Sequence, residues 1–145
     1  RAMLVTVLYR LEGQPAVNGR SGFSDVQYNG YYEDAVTWAA DNGIVNGTST
    51  TTFSPNANVT REQMAAILYR YAQYKKYNTA ASSSLNGFTD QASVSGYATA
   101  SLEWAVAEKL VNGSAGKLMP TGNATRAQVA AILHRFVENV AKTTK

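Results

Sequence analysis

The sequence contains no cysteine and only one histidine, so two common ways of building a site are missing. Without cysteine the chain has neither a disulfide framework nor a thiolate metal site. His134 lies in a helical pattern without carboxylate or thiolate neighbours, and it aligns with Tyr9 and Tyr69 in a repeated motif. We therefore read His134 as an ordinary, partly exposed position and expect neither a metal nor a cofactor.

Long hydrophobic runs and a strong charge of one sign are also missing. No apolar stretch approaches the roughly 20 residues of a membrane span, so we expect no membrane insertion. The net charge is +3 and the 13 lysines and arginines are spread out, which argues against a nucleic-acid partner. No signal peptide is visible, but the chain opens inside a repeated motif. We therefore expect its natural N-terminus to lie elsewhere.

The sequence does contain one motif three times. It spans residues 60–70, returns at 125–135, and opens the chain in shortened form at 1–10. The arginine near the start of each copy recurs at spacings of 60 and 65 residues. Recurrence at such a period indicates a repeated supersecondary module.

Each complete copy of the motif has the pattern of a helix start. Thr60 and Thr125 are good N-caps, because a threonine oxygen accepts from a backbone N–H of the first turn. Gln63 and Gln128 follow three residues later and complete a capping box. Apolar residues then recur at helical spacing, both here and in three further segments. The predicted helices are 1–12, about 31–42, 61–75, 97–109 and 126–140.

Segments rich in glycine, proline and serine divide the chain into repeats and linkers. The parts are half of a first repeat with its linker (1–22), a second repeat (23–76), a linker (77–87), a third repeat (88–141) and a tail (142–145). A unit of about 55 residues buries little apolar area alone. We therefore predict an all-α fold of helix-loop-helix units whose second helices share one core.

The order and spacing of several short motifs resemble the S-layer homology domain of bacterial cell-surface proteins. They are Phe23-Ser24-Asp25-Val26, Trp38-Ala39, Gly43-Ile44-Val45-Asn46-Gly47, Phe53-Ser54-Pro55 and Thr60-Arg61-Glu62-Gln63, with Phe88-Thr89-Asp90, Trp104-Ala105, Asn112-Gly113, Met119-Pro120 and Thr125-Arg126-Ala127-Gln128 in the next repeat. The resemblance implies a three-pronged, pseudo-threefold arrangement around a central helical bundle. It also implies grooves between repeats that bind secondary cell wall polymers, often with pyruvylated amino sugars.

The chain departs from the family pattern in one place that bears on the site. The family favours threonine, arginine, alanine and glutamate, whereas the fourth position here is Gln63 in one repeat and Gln128 in the other. Glutamine still serves a capping box, so the fold is not affected. It lacks the negative charge that glutamate would place beside the arginine.

The arginines after the caps are the first candidates for ligand contact. Capping does not need arginine there, yet Arg1, Arg61 and Arg126 all occupy the position. A guanidinium beside free N–H groups of a helix start suits a carboxylate or phosphate, so we expect these arginines to face an acidic group. The alternative is an ion pair with a neighbouring repeat.

Three further pairs of residues have both an ordinary and a functional interpretation. Tryptophans in the first helices are either core residues or flat apolar faces for a sugar ring. Aspartates before those helices either cap a turn or accept from sugar hydroxyls. Glycines after them supply positive φ, or expose backbone to a ligand. These candidates are Trp38 and Trp104, Asp25 and Asp90, and Gly47 and Gly113.

The leading hypothesis is non-covalent anchoring to a bacterial cell wall through its polysaccharide, which places the protein outside the cell, in the wall or surface layer. The alternative is a protein-interaction or self-assembly scaffold, in which another chain completes the truncated first repeat. We find no nucleophile–base pair and no G-x-S-x-G motif, and although the sequence leaves a carboxylate pair for glycoside cleavage open, it singles none out, so we expect no enzyme activity. A DNA-reading helix is disfavoured because Ala-Ala-Ile-Leu follows the first turn of each motif helix.

Overall fold

The computed structural model describes residues 2–15, 17, 33–45, 59–77, 79–111 and 116–139. These residues form five α-helices and contain no β-strand, which confirms the all-α fold class. Two short 3₁₀ turns, Gln91–Ser93 and Gly96–Ala98, precede the fourth helix. The helices are α1 (Ala2–Leu11), α2 (Glu33–Asp41), α3 (Arg61–Tyr74), α4 (Thr99–Ala107) and α5 (Arg126–Asn139). Each lies within two residues of its predicted bounds.

The chain divides into two compact units, Arg1–Asn58 and Val59–Lys145. In the first unit α1 packs against α2. Leu4 and Leu8 of α1 are buried at 1% and 0% exposure. The ring of Tyr9 contacts that of Trp38 with centroids 5.6 Å apart. Among the described residues of this unit, α1 and α2 are therefore held together by buried apolar side chains from both helices.

The second unit contains α3, α4 and α5 around an aromatic cluster. Tyr69 of α3 contacts Trp104 of α4 with ring centroids 5.3 Å apart, which repeats the Tyr9–Trp38 contact of the first unit. Phe136 of α5 is fully buried and contacts Tyr71 at 5.9 Å and Trp104 at 6.5 Å. Of the three second helices expected to share one core, α3 and α5 do so here, whereas α1 belongs to the first unit.

The two units cut across the predicted repeats. Helices α2 and α3 both fall in the predicted repeat 23–76, yet they belong to different units. In each unit the second helix of one predicted repeat packs against the first helix of the next, α1 with α2 and α3 with α4. The repeat boundaries and the three-pronged arrangement stay predictions.

Helices α2 and α4, each the first helix of its predicted repeat, end in the same kind of turn. After α2, Gly43 has a φ of +71° and the N–H of Ile44 donates to Ala39 O at 2.9 Å. After α4, Lys109 takes this left-handed conformation with a φ of 62°, and the N–H of Leu110 donates to Ala105 O at 2.8 Å. The turn places Leu110 and the next residue, Val111, in buried positions beside α5 in the second unit.

Candidate functional site

Both predicted capping boxes are present in the structure. The N–H of Gln63 donates to Thr60 Oγ1 at 3.2 Å, while Gln63 Oε1 accepts from the N–H of Thr60 at 3.0 Å. Thr125 and Gln128 make the same reciprocal pair at 3.1 and 3.0 Å. The start of each motif helix is thus fixed by its own sequence.

The first turn of α3 is not an open anion site, so that part of the sequence interpretation is wrong. The N–H of Arg61 donates to Gly122 O at 3.1 Å and that of Glu62 to Pro120 O at 3.0 Å. An antiparallel bridge between Thr60 and Asn123 continues this pairing. A segment about 60 residues later in the chain therefore already satisfies these donors, which no local pattern could reveal.

The guanidinium of Arg61 is held by two neutral oxygens. Its Nη2 donates to Gln128 Oε1 at 2.9 Å, and its Nη1 donates more weakly to Met119 O at 3.4 Å. The side chain is half-buried. The sequence left two interpretations of Arg61, contact with an acidic ligand or an ion pair with a neighbouring repeat. A neighbouring repeat does hold Arg61, but through a side-chain amide and a backbone carbonyl rather than an ion pair. Its positive charge is therefore not neutralised by these partners.

Asp90 anchors the loop that carries one of these oxygens. Its two carboxylate oxygens accept from the N–H groups of Leu118 at 2.8 Å and Met119 at 2.7 Å. The hydrogen bond from Leu118, followed by that from Met119, holds the pKa of this carboxyl below its usual range despite some desolvation. Asp90 thus has the turn-stabilising role, one of the two interpretations given above, and it holds the loop whose Met119 O lies beside Arg61.

Arg61 lines a cavity of about 340 Å³ within the second unit, which we call the Arg61 cavity. One wall comes from α5 and the other from the turn after α4 and the loop held by Asp90. The lining residues are Arg61, Leu110, Val111, Leu118, Met119, Ala127, Gln128, Ala131, Ile132 and Arg135. Two of them are arginines and none is acidic, so the cavity combines apolar walls with positive charge.

Sequence analysis missed Arg135, the second arginine of the Arg61 cavity. Its Nη1 donates to Leu110 O at 3.3 Å, at the turn that follows α4. Gln128, Ala131, Ile132 and Arg135 follow the i, i+3, i+4, i+7 spacing of one helix face. That spacing was readable in the sequence, but nothing local indicated that this face lines a cavity.

The structure places both tryptophans in the core. Trp38 is 3% exposed and Trp104 is 1% exposed, so neither indole offers a face to a sugar ring. Each packs on a tyrosine from the preceding motif helix, Tyr9 or Tyr69. Burial of these rings provides more apolar area than any other residue type can, which explains their place at the helix contacts. Of the two interpretations left open, the core one describes the structure.

Glu62 is a second residue whose role the sequence did not indicate. Glu62 is the residue after Arg61, and its side chain is buried at 4% exposure. Its carboxylate accepts from the N–H of Ser95 at 3.0 Å, the Ser95 hydroxyl at 2.6 Å and the Tyr97 hydroxyl at 3.3 Å. Glu62 therefore ties the start of α3 to the turns before α4.

Four of the candidate residues lie outside the described residues. They are Arg1, Asp25, Gly47 and Gly113. Arg126 begins α5, but its side chain is not among those described.

Within the described ranges, no group of three or more histidine, cysteine, aspartate or glutamate side chains is placed to hold a metal ion. Among those same residues, no helix has the length and apolar character needed to cross a membrane.

The chain is similar to parts of a surface-layer protein and of two enzymes from bacteria. It is 34% identical over 99% of its length to the surface-layer 125 kDa protein of Lysinibacillus sphaericus, of which it covers 12%. It is 34% identical over 95% of its length to the amylopullulanase of Thermoanaerobacterium thermosulfurigenes, covering 7% of that protein. It is 31% identical over 97% of its length to the endoglucanase of Bacillus sp. (strain KSM-635), covering 15%. The chain therefore spans only a small part of these relatives.

A family model also matches the chain twice. The model of the S-layer homology domain matches residues 22–65 and 87–130, which together make up more than half of the sequence. The two matches contain the capping motifs and Arg61. The chain belongs to the S-layer homology domain family, whose members are non-catalytic modules that bind cell wall polymers and anchor proteins at the cell surface.

Proposed function

We propose that this chain anchors a protein non-covalently to the bacterial cell wall by binding an acidic, pyruvylated sugar of the secondary cell wall polysaccharide in the Arg61 cavity. One observation carries the proposal. Among the described residues, the hydrogen-bond partners of the Arg61 guanidinium at the cavity wall are two neutral oxygens, and none of the ten residues that line the cavity is acidic. An acidic ligand group would supply the missing negative charge.

The chemistry of arginine favours a carboxylate in this position. A guanidinium presents its N–H groups as a planar fork that matches the two oxygens of a carboxylate. Arg61 uses two of its donors on Gln128 and Met119, which leaves further N–H groups for a ligand. The apolar walls lower the local dielectric constant, so an ion pair there is stronger than one in water.

The remaining walls suit the apolar parts of a sugar. Leu118 and Ile132 are buried and Ala131 is half-buried, and all three line the cavity. The C–H faces of a pyranose ring and the methyl group of a pyruvyl ketal are apolar and can pack on such side chains. The cavity volume of about 340 Å³ lies at the lower end of the roughly 300–1,000 Å³ common for ligand pockets.

The other signature arginines extend the proposal to further binding positions. Arg1 and Arg126 occupy the place of Arg61 in their own motifs, and we assign them the same contact with acidic sugars. Asp25, Gly47 and Gly113 are proposed to border such positions. The parent protein is then extracellular, held in the wall or surface layer, and its binding partner is polysaccharide.

Co-sedimentation with purified Gram-positive cell walls tests the anchoring function. Intact walls are compared with walls from which the secondary polysaccharide has been extracted, leaving peptidoglycan. We expect the chain to sediment with intact walls only. Equal sedimentation with extracted walls would contradict a polysaccharide ligand. Failure to bind either wall, together with self-association in analytical ultracentrifugation, would favour the self-assembly scaffold instead.

A further inference from the structure

The second arginine of the Arg61 cavity lies at the opposite end of the helix face that forms one wall. Gln128, which holds Arg61, and Arg135 are seven residues apart on α5. Seven residues of α-helix rise about 10 Å, and they return to the same face after two turns. The side chains between them on this face are Ala131 and Ile132. The cavity therefore has a cation near each end and an apolar stretch between.

Arg135, like Arg61, is held by a neutral oxygen. Its Nη1 donates to the carbonyl of Leu110 at 3.3 Å, which fixes the guanidinium beside the turn after α4. This single hydrogen bond leaves most of the five N–H donors of the group for other partners. Because no acid is among the described residues that line the cavity, none of them balances the charge of Arg135 either.

Two cations along one apolar cavity set a spacing requirement for the ligand. A single acidic sugar that binds Arg61 would supply no negative charge to Arg135, which lies beyond Ala131 and Ile132 on the same helix face. Bringing two like charges to one partly desolvated cavity is unfavourable unless both are compensated. A ligand with two anionic groups compensates both and satisfies the geometry.

We propose that the Arg61 cavity is a two-point site that binds a glycan segment carrying two acidic groups, one for each end of the α5 face between Gln128 and Arg135. Arg61 binds one acidic group and Arg135 the other, while the apolar face of the intervening sugar lies over Ala131 and Ile132. This inference rests on the proposed function, because it names the substrate class of the same cavity. The unit that the cavity recognises is then a glycan segment with two acidic groups, rather than one acidic sugar at the end of the polymer.

The test compares fragments of purified wall polysaccharide, separated by anion exchange into singly and doubly charged classes of similar length. Wild-type chain should bind the doubly charged class at least tenfold more tightly, which exceeds the twofold that two independent positions would give. In the Arg135→Gln variant the preference for the doubly charged class should fall to about that twofold value. Arg135→Lys should keep part of the preference, because the charge remains while the hydrogen bond to Leu110 changes.

The control is Arg10→Gln, which removes the same charge at the equivalent motif position in the first unit. Arg10 is exposed and does not line the cavity, so the preference should persist. Equal wild-type affinity for both fragment classes would overturn the two-point site and leave single-charge anchoring intact. If Arg135→Gln lowers the melting temperature and weakens binding to both fragment classes by the same factor, Arg135 has a structural role only. Binding of neither class by wild type would overturn the proposed function and this inference together.

Discussion

Nη2 of Arg61 lies 2.9 Å from Oε1 of Gln128, although the two residues are 67 positions apart. The same Gln128 oxygen also accepts from the N–H of Thr125 at 3.0 Å in the capping box of α5. One amide oxygen therefore both caps a helix and orients the arginine of the preceding motif. The family favours glutamate at this position. Gln128 makes both contacts but places no negative charge beside Arg61.

Gly122 offers a way to move Arg61 without replacing it. A Cβ at this position would lie 2.5 Å from Arg61 Nη1, at the end of a flexible side chain. Gly122→Ala should therefore displace the guanidinium and reduce the affinity for acidic wall polysaccharide at least tenfold. The unfolding free energy should change by less than about 1 kcal/mol.

Calorimetric titration and thermal unfolding of the purified variant measure these two quantities. Gly87→Ala is the matched control, because a Cβ there meets nothing within 4 Å. Unchanged affinity in Gly122→Ala would show that the observed position of the Arg61 guanidinium is not required for binding.

Glu62 should be important for stability rather than for ligand contact. Its buried carboxylate accepts from the N–H of Ser95 and from the hydroxyls of Ser95 and Tyr97, so Glu62→Gln replaces a charged acceptor by a neutral amide and forces the hydroxyls beside its NH₂ group to accept instead of donate. We expect a loss of about 1–3 kcal/mol in unfolding free energy, measured by denaturant titration. Asp41→Asn, at an exposed acid in the last turn of α2, should change stability little. Equal effects of the two substitutions would contradict the role assigned to Glu62.

Asp90 should make stability depend on pH in the acid range. Hydrogen bonds from Leu118 and Met119 lower its pKa in the folded state. A lowered folded-state pKa means that the stabilisation is fully present above the unfolded-state pKa of about 3.9, and is lost as pH falls through the folded value. Unfolding measured from pH 7 down to pH 2 should show this loss in wild type.

The Asp90→Asn variant should be less stable than wild type at pH 7, and its stability should fall less steeply with acidification. An unchanged slope below pH 4 would mean that other carboxyls cause the acid sensitivity of the wild type.

Trp104 distinguishes a core role from a sugar-binding one. Its indole Nε1 is buried and has no hydrogen-bond partner among the described residues, so Trp104→Phe removes ring volume without breaking a described hydrogen bond. We expect lower stability with unchanged affinity, and a smaller loss than the roughly 3–5 kcal/mol typical of substitution by alanine. Chemical unfolding and calorimetric titration give both values. Weakened binding in a variant of unchanged stability would restore the sugar-stacking interpretation.

The helix starts were predictable because their determinants are local. A threonine cap and a glutamine three residues later fix the first turn at Arg61 and at Arg126, and the structure begins α3 and α5 at these residues. The all-α class followed from the same patterns. Packing of the tryptophans was left open, because the helical spacing alone does not distinguish a buried indole from one at a surface groove.

The cavity depends on contacts between distant segments, which no periodicity encodes. Pro120 and Gly122 satisfy the donors of α3 only because the chain returns to that helix some 60 residues later. Arg135 lines the cavity because the turn after α4 packs against α5, so its role became visible only in the fold. The sequence thus predicted Arg61 as a candidate for ligand contact, while its hydrogen-bond partners became visible only in the tertiary structure.

The most direct test of the account is calorimetric titration of this chain with purified secondary wall polysaccharide, before and after mild removal of its pyruvyl groups. We expect saturable binding that needs the acidic groups and weakens at least tenfold in Arg61→Ala. The variant Arg10→Ala should bind like wild type. Equal affinity for the acidic and the neutralised polymer, or an Arg61→Ala variant that binds as wild type does, would contradict recognition of an acidic sugar by Arg61.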